Sequence, residues 1–252
     1  MSKIKTAIWF LKNPAYFSQI FQVLKRKKNE ALENTTTEAT AWCKQHSLPM
    51  QEALKVLEIE GYSDIDTIFP EVFNEARAAA DAAPVKMGGE GALSLIYHLV
   101  KKAAPQKLLE TGVAYGWSSL AILLALQENK ASKLISNDMP YINMGNDDYV
   151  GCVVPAFLKP QWHLQRLPDF KGIPLALKTF GNEIDFCHYD SDKSYTGRSW
   201  ASPLLWNALK EGSYFVSDDI NDNIAFKHFC ESVNREPVII EHLGKYVGVI
   251  VK

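Results

Sequence analysis

The chain has 252 residues, 47% of them hydrophobic and 22% charged, with a formal net charge of −2. This is the make-up of a folded protein with a sizeable core, and it offers no bulk electrostatic attraction for nucleic acid. The four cysteines, Cys43, Cys152, Cys187 and Cys230, are scattered without a Cys-x-x-Cys pair, which argues against a zinc cluster or a disulfide framework and for a reducing, cytoplasmic setting.

Residues 1–84 read as a helical N-terminal extension. The first apolar stretch, Ala7 to Leu11, is too short for a signal-peptide core or a membrane span. Asn13-Pro14 reads as a cap followed by proline at the first helical position. It predicts a helix over about 14–27 that groups Ile20, Phe21 and Leu24 and ends in Lys25-Arg26-Lys27-Lys28. Thr35 to Glu38 has capping-box spacing before a helix through Ala39 and Cys43. Further helices are expected over 50–59 and 64–83. The basic, aromatic N-terminus carries Trp9, Phe10, Tyr16, Phe17 and Phe21. It suits weak contact with an anionic membrane surface, or packing on the main domain or on a second subunit of a homo-oligomer. Packing is the simpler expectation.

From about residue 85 the pattern changes to alternating helices and strands, which implies an α/β fold around a mostly parallel sheet. A helix over 91–103 leads to a strand at 107–111 and a helix from Trp117. Strands follow at 133–137, 162–167, 184–189 and 214–217, with a loop and helix over 141–159 and helices over 200–209 and 223–233. Strands at 237–241 and 246–251, joined by Leu243-Gly244-Lys245, read as a closing antiparallel hairpin. His163 and His188 fall within strands and are expected to be packed side chains.

Residues 108–120 read Leu-Leu-Glu-Thr-Gly-Val-Ala-Tyr-Gly-Trp-Ser-Ser-Leu. A strand, a tight glycine turn and a helix N-terminus in succession let backbone N–H groups approach a nucleotide-like ligand. A dinucleotide fingerprint needs a third glycine where Ala114 stands, which disfavours an NAD-binding oxidoreductase. A second constellation joins Asp190-Ser191-Asp192-Lys193-Ser194-Tyr195 to Ser217-Asp218-Asp219-Ile220. Both segments follow strands, at the carboxyl ends where such sheets bind ligands. Carboxylates converging there repel one another unless neutralised, and hard oxygen ligands suit Mg²⁺, Mn²⁺ or Ca²⁺.

The pattern Glu-x-Gly-x-x-x-Gly-x-Ser resembles motif I of class I S-adenosylmethionine (SAM)-dependent methyltransferases. The resemblance implies a Rossmann-like sheet of seven strands over residues 85–252. It also implies that Gly112 and Gly116 let the backbone reach the methionine part of SAM, with Glu110 and Ser118 in the same cofactor loop. Asp138, at the end of the second strand, would accept the ribose hydroxyls, and Asp169 is the one acid near the position where relatives contact adenine. The acidic constellation resembles that of catechol-type O-methyltransferases. There the matching residues, Asp190, Asp218 and Asp219, would hold Mg²⁺ or Mn²⁺, and Lys193 would act as general base beside Asp190. A bacterial branch whose members include sugar methyltransferases is more similar still, through Asn223-Ile224-Ala225-Phe226. The expected function is therefore divalent-metal-dependent O-methyl transfer to a hydroxyl of a small molecule or sugar. The alternatives are a metal-independent methyltransferase of the same fold and a non-catalytic SAM-fold interaction subunit.

Overall fold

The computed structural model of the chain describes residues 3–16, 26–140 and 145–252. The strands are β1 (Ser47–Leu48), β2 (Lys107–Thr111), β3 (Lys133–Asn137), β4 (Trp162–Gln165), β5 (Ile184–Tyr189), β6 (Leu209–Ser217), β7 (Val238–His242) and β8 (Lys245–Val251). They form one sheet in the order β1-β7-β8-β6-β5-β2-β3-β4. All neighbours are parallel except β8, which runs antiparallel to both β6 and β7. The order reverses between β2 and β5, so the loops leaving these two strands diverge and open a crevice at their carboxyl ends.

Helices cover both faces, so the central strands are nearly continuous apolar runs. Alternation divides each strand between two core layers. Leu108, Phe186 and Val216 face one layer, where they meet Leu95, Leu99 and Ile122 of helices Leu93–Ala103 and Trp117–Leu126. Their neighbours Leu109, Cys187 and Phe215 face the other, with Ile173, Leu205 and Phe229 of helices Asp169–Thr179, Tyr195–Ala208 and Ala225–Val233. Ala53, Leu54, Leu57, Ile65, Phe73 and Ala76 of the N-terminal extension belong to the first layer.

Several sequence expectations change. The sheet has an eighth strand: β1 pairs with β7 inside the extension expected to be purely helical. Two residues carry no alternation to read, and only the open edge of β7 makes them a strand. The helix expected over 64–83 is two, Ile65–Ile68 and Pro70–Asp81, because proline cannot donate within a helix and so starts the second. Helix Asp169–Thr179 was not anticipated, since Gly172 and Pro174 interrupt its pattern. Gly172 lies so close to the Asn137 side chain that an added Cβ would collide with it. The stretch after residue 145 forms short 3-10 turns at Asp147–Tyr149 and Ala156–Gln161 rather than an α-helix. Most of the helix expected over 14–27, with Phe17, Ile20, Phe21 and Leu24, lies outside the described residues; Pro14–Tyr16 form a 3-10 turn. His188 is buried as expected, whereas His163 is exposed, because β4 is an edge strand.

Helix Tyr195–Ala208 begins five residues before its expected start, and its N-terminus is held from two sides. Ser194 accepts from the Gly197 N–H at 3.0 Å, while the Glu33 carboxylate accepts from the N–H groups of Tyr195 at 2.7 Å and Thr196 at 3.0 Å. Three orphan donors and the positive end of the helix dipole are thereby satisfied. Glu33→Ala is expected to destabilise the fold by about 1–2 kcal/mol, read as a lowered urea midpoint with unchanged slope.

Candidate active site

The turn after β2 is built on close backbone approach. Gly112 has φ +80° and donates its N–H to the Asn137 carbonyl at 2.8 Å. A Cβ added there would run into the Asp190 carbonyl, so glycine is required both for its dihedral and for its lack of a side chain. Glu110 lies beneath the turn, fully buried. It accepts hydroxyls from Ser118 at 2.6 Å, from Ser136 at 2.6 Å and from Ser119. His188 Nδ1 stands 3.5 Å from the same carboxylate. Burial alone would lower the His188 pKa, but Glu110, Asp190 and Asp218 outweigh it and raise the value.

Above the turn is a cavity of about 480 Å³. Gly112, Asp190, Lys193, Asp218 and Asp219 all line it, and Ser118 lines a smaller adjoining hollow. The acidic constellation with its lysine and the motif turn therefore share one space. Glu110, Gly116, Asp138 and Asp169 do not line either space. Glu110 instead fixes the turn from below. Asp169 accepts from Asn137 Nδ2 at 3.0 Å and Ser191 Oγ at 2.5 Å, and burial pushes its pKa up to about 6.

Asp138 is almost fully buried and already engaged. One oxygen accepts the Val113 N–H at 3.3 Å, and the other is paired with Arg166. Burial raises its pKa against the lowering effect of Arg166. Arg166 also holds Asp147 at 2.6 Å, and its carbonyl accepts the Tyr16 hydroxyl at 2.8 Å. This arginine, immediately after β4, belongs to no sequence motif, and only the fold brings it to Asp138.

Lys193 bridges Asp190 and Asp219, and Lys245 pairs with Asp219 at 2.9 Å. Both oxygens of Asp219 therefore meet an ammonium. Among the described residues no group of three His, Cys, Asp or Glu side chains is arranged to hold a metal ion. Two of the three carboxylates expected to form a cation cage, Asp190 and Asp219, instead hold Lys193 between them, so as arranged here they do not fit a bound divalent ion. Burial alone would lower the Lys193 pKa, but Asp190 and Asp219 outweigh it and raise the value. Burial pushes Asp190 up to about 6, with Lys193 lowering and Asp218 raising it. Buried Arg198 supports the turn after β6 by donating to the Ser217 hydroxyl at 2.7 Å and to the carbonyls of Asp218 and Asp219, each at 2.9 Å.

Residues 109–220 match the sequence profile of a methyltransferase domain. The fold is similar to that of an O-methyltransferase from Bacillus cereus solved with S-adenosylhomocysteine (SAH), at 13% identity and TM-score 0.54 over 83% of this chain and 100% of that one. It is similar also to the O-methyltransferase TomG from Streptomyces achromogenes solved with SAM, at 14% identity and TM-score 0.57 over 77% and 99%. A methyltransferase from Podospora anserina solved with SAH gives 14% identity and TM-score 0.54 over 85% and 94%. Comparison with curated sequences finds no match. The chain has a class I SAM-dependent methyltransferase fold.

In the sheet, antiparallel β8 lies between β6 and β7, and β1 is the edge strand beside β7. No described helix is long and apolar enough to cross a membrane. Gly112→Ala is expected to lower the urea midpoint of the fold, because the new Cβ must displace the loop carrying Asp190. A wild-type midpoint in that variant would contradict this account of the turn.

Proposed function

We propose that this protein transfers the methyl group of SAM to a hydroxyl oxygen of a small, polyhydroxylated acceptor such as a sugar. The observation that carries the reading is that Gly112, Asp190, Lys193, Asp218 and Asp219 line one cavity, so a cofactor turn and an acid–base cluster address the same space. No Phe, Tyr or Trp is among the described residues lining it, which favours a hydrogen-bonding acceptor over a flat aromatic one. Residues 85–252 would supply the methyltransferase machinery and residues 1–84 its helical extension.

The turn at Gly112 offers a cradle that any side chain would fill, which suits the methionine part of SAM. Asp138 would receive the ribose hydroxyls once Arg166 shifts toward Asp147, its second partner. When bound, SAM supplies a methyl group already activated by its sulfonium. The remaining work is alignment of the acceptor oxygen and removal of its proton. SAM held at the Gly112 turn would give up that methyl group to the acceptor oxygen and leave as SAH. Asp190 takes the hydroxyl proton, since a carboxyl lifted to about 6 is both ionised at neutral pH and more basic than an ordinary aspartate. Lys193, whose pKa Asp190 and Asp219 raise, keeps its proton in this scheme, and its charge stabilises the developing oxyanion. The proposal gives Lys193 a charge-stabilising role in place of the proton-accepting one that the resemblance implies.

The acceptor is tested by screening sugars, sugar nucleotides, glycosyl lipids and catechols with SAM radiolabelled on its methyl group. Transfer confined to catechols would overturn the polyhydroxyl reading. Asp138→Asn is expected to weaken SAM binding by about 1–3 kcal/mol through loss of a charge-assisted acceptor. The rate should climb as pH rises through about 6 and then level off, because Asp190 must be ionised to take the proton. Lys193→Met should lower kcat more than it changes SAM affinity.

A second reading keeps the divalent ion. It is favoured by Asp218, which makes no ion pair among the described residues and lines the same cavity as the other two carboxylates. Dialysis against EDTA separates the readings. Undiminished transfer supports the lysine-bridged site, whereas loss of transfer restored by Mg²⁺ or Mn²⁺ supports the metal-dependent one.

A further inference from the structure

The wall of the cavity opposite the motif turn is a loop with little means of holding its own shape. Residues 82–92, between helices Pro70–Asp81 and Leu93–Ala103, carry no regular secondary structure. Gly88, Gly89 and Gly91 all line the cavity. A Cβ built at Gly88 would stand 3.6 Å from Ala114 Cβ, and one built at Gly91 would stand 3.3 Å from an oxygen of Asp218. The loop therefore touches both the cofactor turn and the acidic cluster. Three glycines make such a wall entropically expensive to order, so its geometry depends on tethers from elsewhere.

Glu90, between the glycines, carries the strongest tether. Arg77 grips it with two hydrogen bonds, Nε to Oε1 at 2.8 Å and Nη2 to Oε2 at 3.1 Å. This is the planar fork that a guanidinium makes with a carboxylate and a lysine cannot reproduce. The arginine is itself held in place. Its guanidinium lies 5.5 Å from the Phe73 ring centre, and buried Phe73 stacks on Trp117 at 6.2 Å. Trp117 is the first residue of the helix that follows the glycine turn. The two sides of the cavity are thus referenced to one aromatic support. Two weaker tethers, Tyr115 to the Val85 carbonyl at 3.1 Å and Asn146 to Met87 Sδ at 3.0 Å, hold the loop further back. Asp66 also accepts from Arg77 Nη2, at 3.1 Å, but does not belong to the loop.

We propose that Arg77 is a positioning residue of the active site, whose fork on Glu90 holds the loop 88–91 as the wall against which cofactor and acceptor bind. The proposal rests on the methyltransferase reading of the cavity. It gives the N-terminal extension a part in the reaction that the sequence motifs do not show. A loosened wall weakens ground state and transition state alike, so the effect falls on KM rather than kcat.

The test uses the full-length protein. Wild-type SAM binding by calorimetry comes first, and its absence would overturn the reading of the cavity itself. Given binding, Arg77→Ala is expected to raise KM for SAM about tenfold with kcat changed less than about threefold. Hydrogen exchange at the 88–92 amides should accelerate in the same variant. Glu90→Gln should match Arg77→Ala, and the double variant should be no worse than either, since both remove one interaction. Arg77→Lys should fall between wild type and Arg77→Ala. Asp66→Asn should leave KM unchanged. Unchanged KM and exchange in Arg77→Ala, additive effects in the double variant, or an Asp66→Asn effect equal to that of Arg77→Ala would each overturn the clamp.

Discussion

The buried carboxylate of Glu110 is the constraint on which the site depends. A carboxylate with no exposure to water is expensive unless it is well hydrogen-bonded. Glu110 meets that demand with hydroxyls from Ser118 and Ser119 on the helix after the turn and from Ser136 on the neighbouring strand. The three donors come from two elements, so satisfying the charge fixes helix Trp117–Leu126 and β3 relative to β2. The negative charge also lies near the helix N-terminus, where the backbone dipole favours it. The glycine turn between strand and helix then has little freedom left. Gly112 is held against the loop of Asp190, and the glycine turn and the acidic cluster become neighbours by construction.

What was legible in the sequence follows from this local dominance. The strand over 107–111, the glycine turn, the helix from Trp117 and the strand over 184–189 were found with their bounds or nearly so, because apolar runs ended by glycine or acid are short-range signals. The closing hairpin was legible for the same reason: Leu243 and Gly244 both take positive φ in the tight turn. Arg166, Arg198 and Arg77 were not legible as site residues. Each acts through partners that only the fold brings near, and an arginine ahead of a helix or inside one looks like any solvated charge. Thr35 shows the converse. Its spacing fits a capping box, yet its hydroxyl makes no cap. It donates instead to the Leu32 carbonyl at 2.8 Å and accepts from the Ile224 N–H at 3.1 Å, a tertiary contact displacing a local one.

The N-terminal extension is woven along the rim of the site. Tyr16 reaches the carbonyl of Arg166, Arg26 pairs with Asp192 at 2.7 Å, and Thr36 donates to the Asp222 carbonyl at 2.6 Å. These partners follow β4, β5 and β6 in turn, so the extension touches the carboxyl end of the sheet at three strands. Ala53, Leu54, Leu57, Ile65, Phe73 and Ala76 meanwhile share the layer that contains Leu108 and Phe186, and Cys43 joins the opposite one. Rim contacts made by a segment anchored in the core are less costly to order than those of a free tail, because most of the backbone entropy is already lost in packing.

Lys193 decides how the acidic cluster responds to cations. Its ammonium and a divalent ion need the same oxygens of Asp190 and Asp219, so the two occupy the cluster in competition rather than together. The apparent affinity for a metal is lowered by whatever free energy holds Lys193 in its bridge, and a metal that binds must release the lysine into the cavity. Asp219 adds to the competition. It sits at φ +50°, a left-handed conformation unusual for a residue with a side chain, and Arg198 secures it from behind through its carbonyl. The backbone of this carboxylate is therefore fixed before any ligand arrives, leaving the side chain of Lys193 as the group that must move. Under the proposed function, a methyl acceptor would face the same gate: its hydroxyl would meet Asp190 beside an ammonium that already claims it, and would gain from doing so only as the oxygen becomes negative. An ammonium that binds a forming oxyanion more strongly than a neutral hydroxyl favours the transition state over the bound acceptor, which is the condition for catalysis.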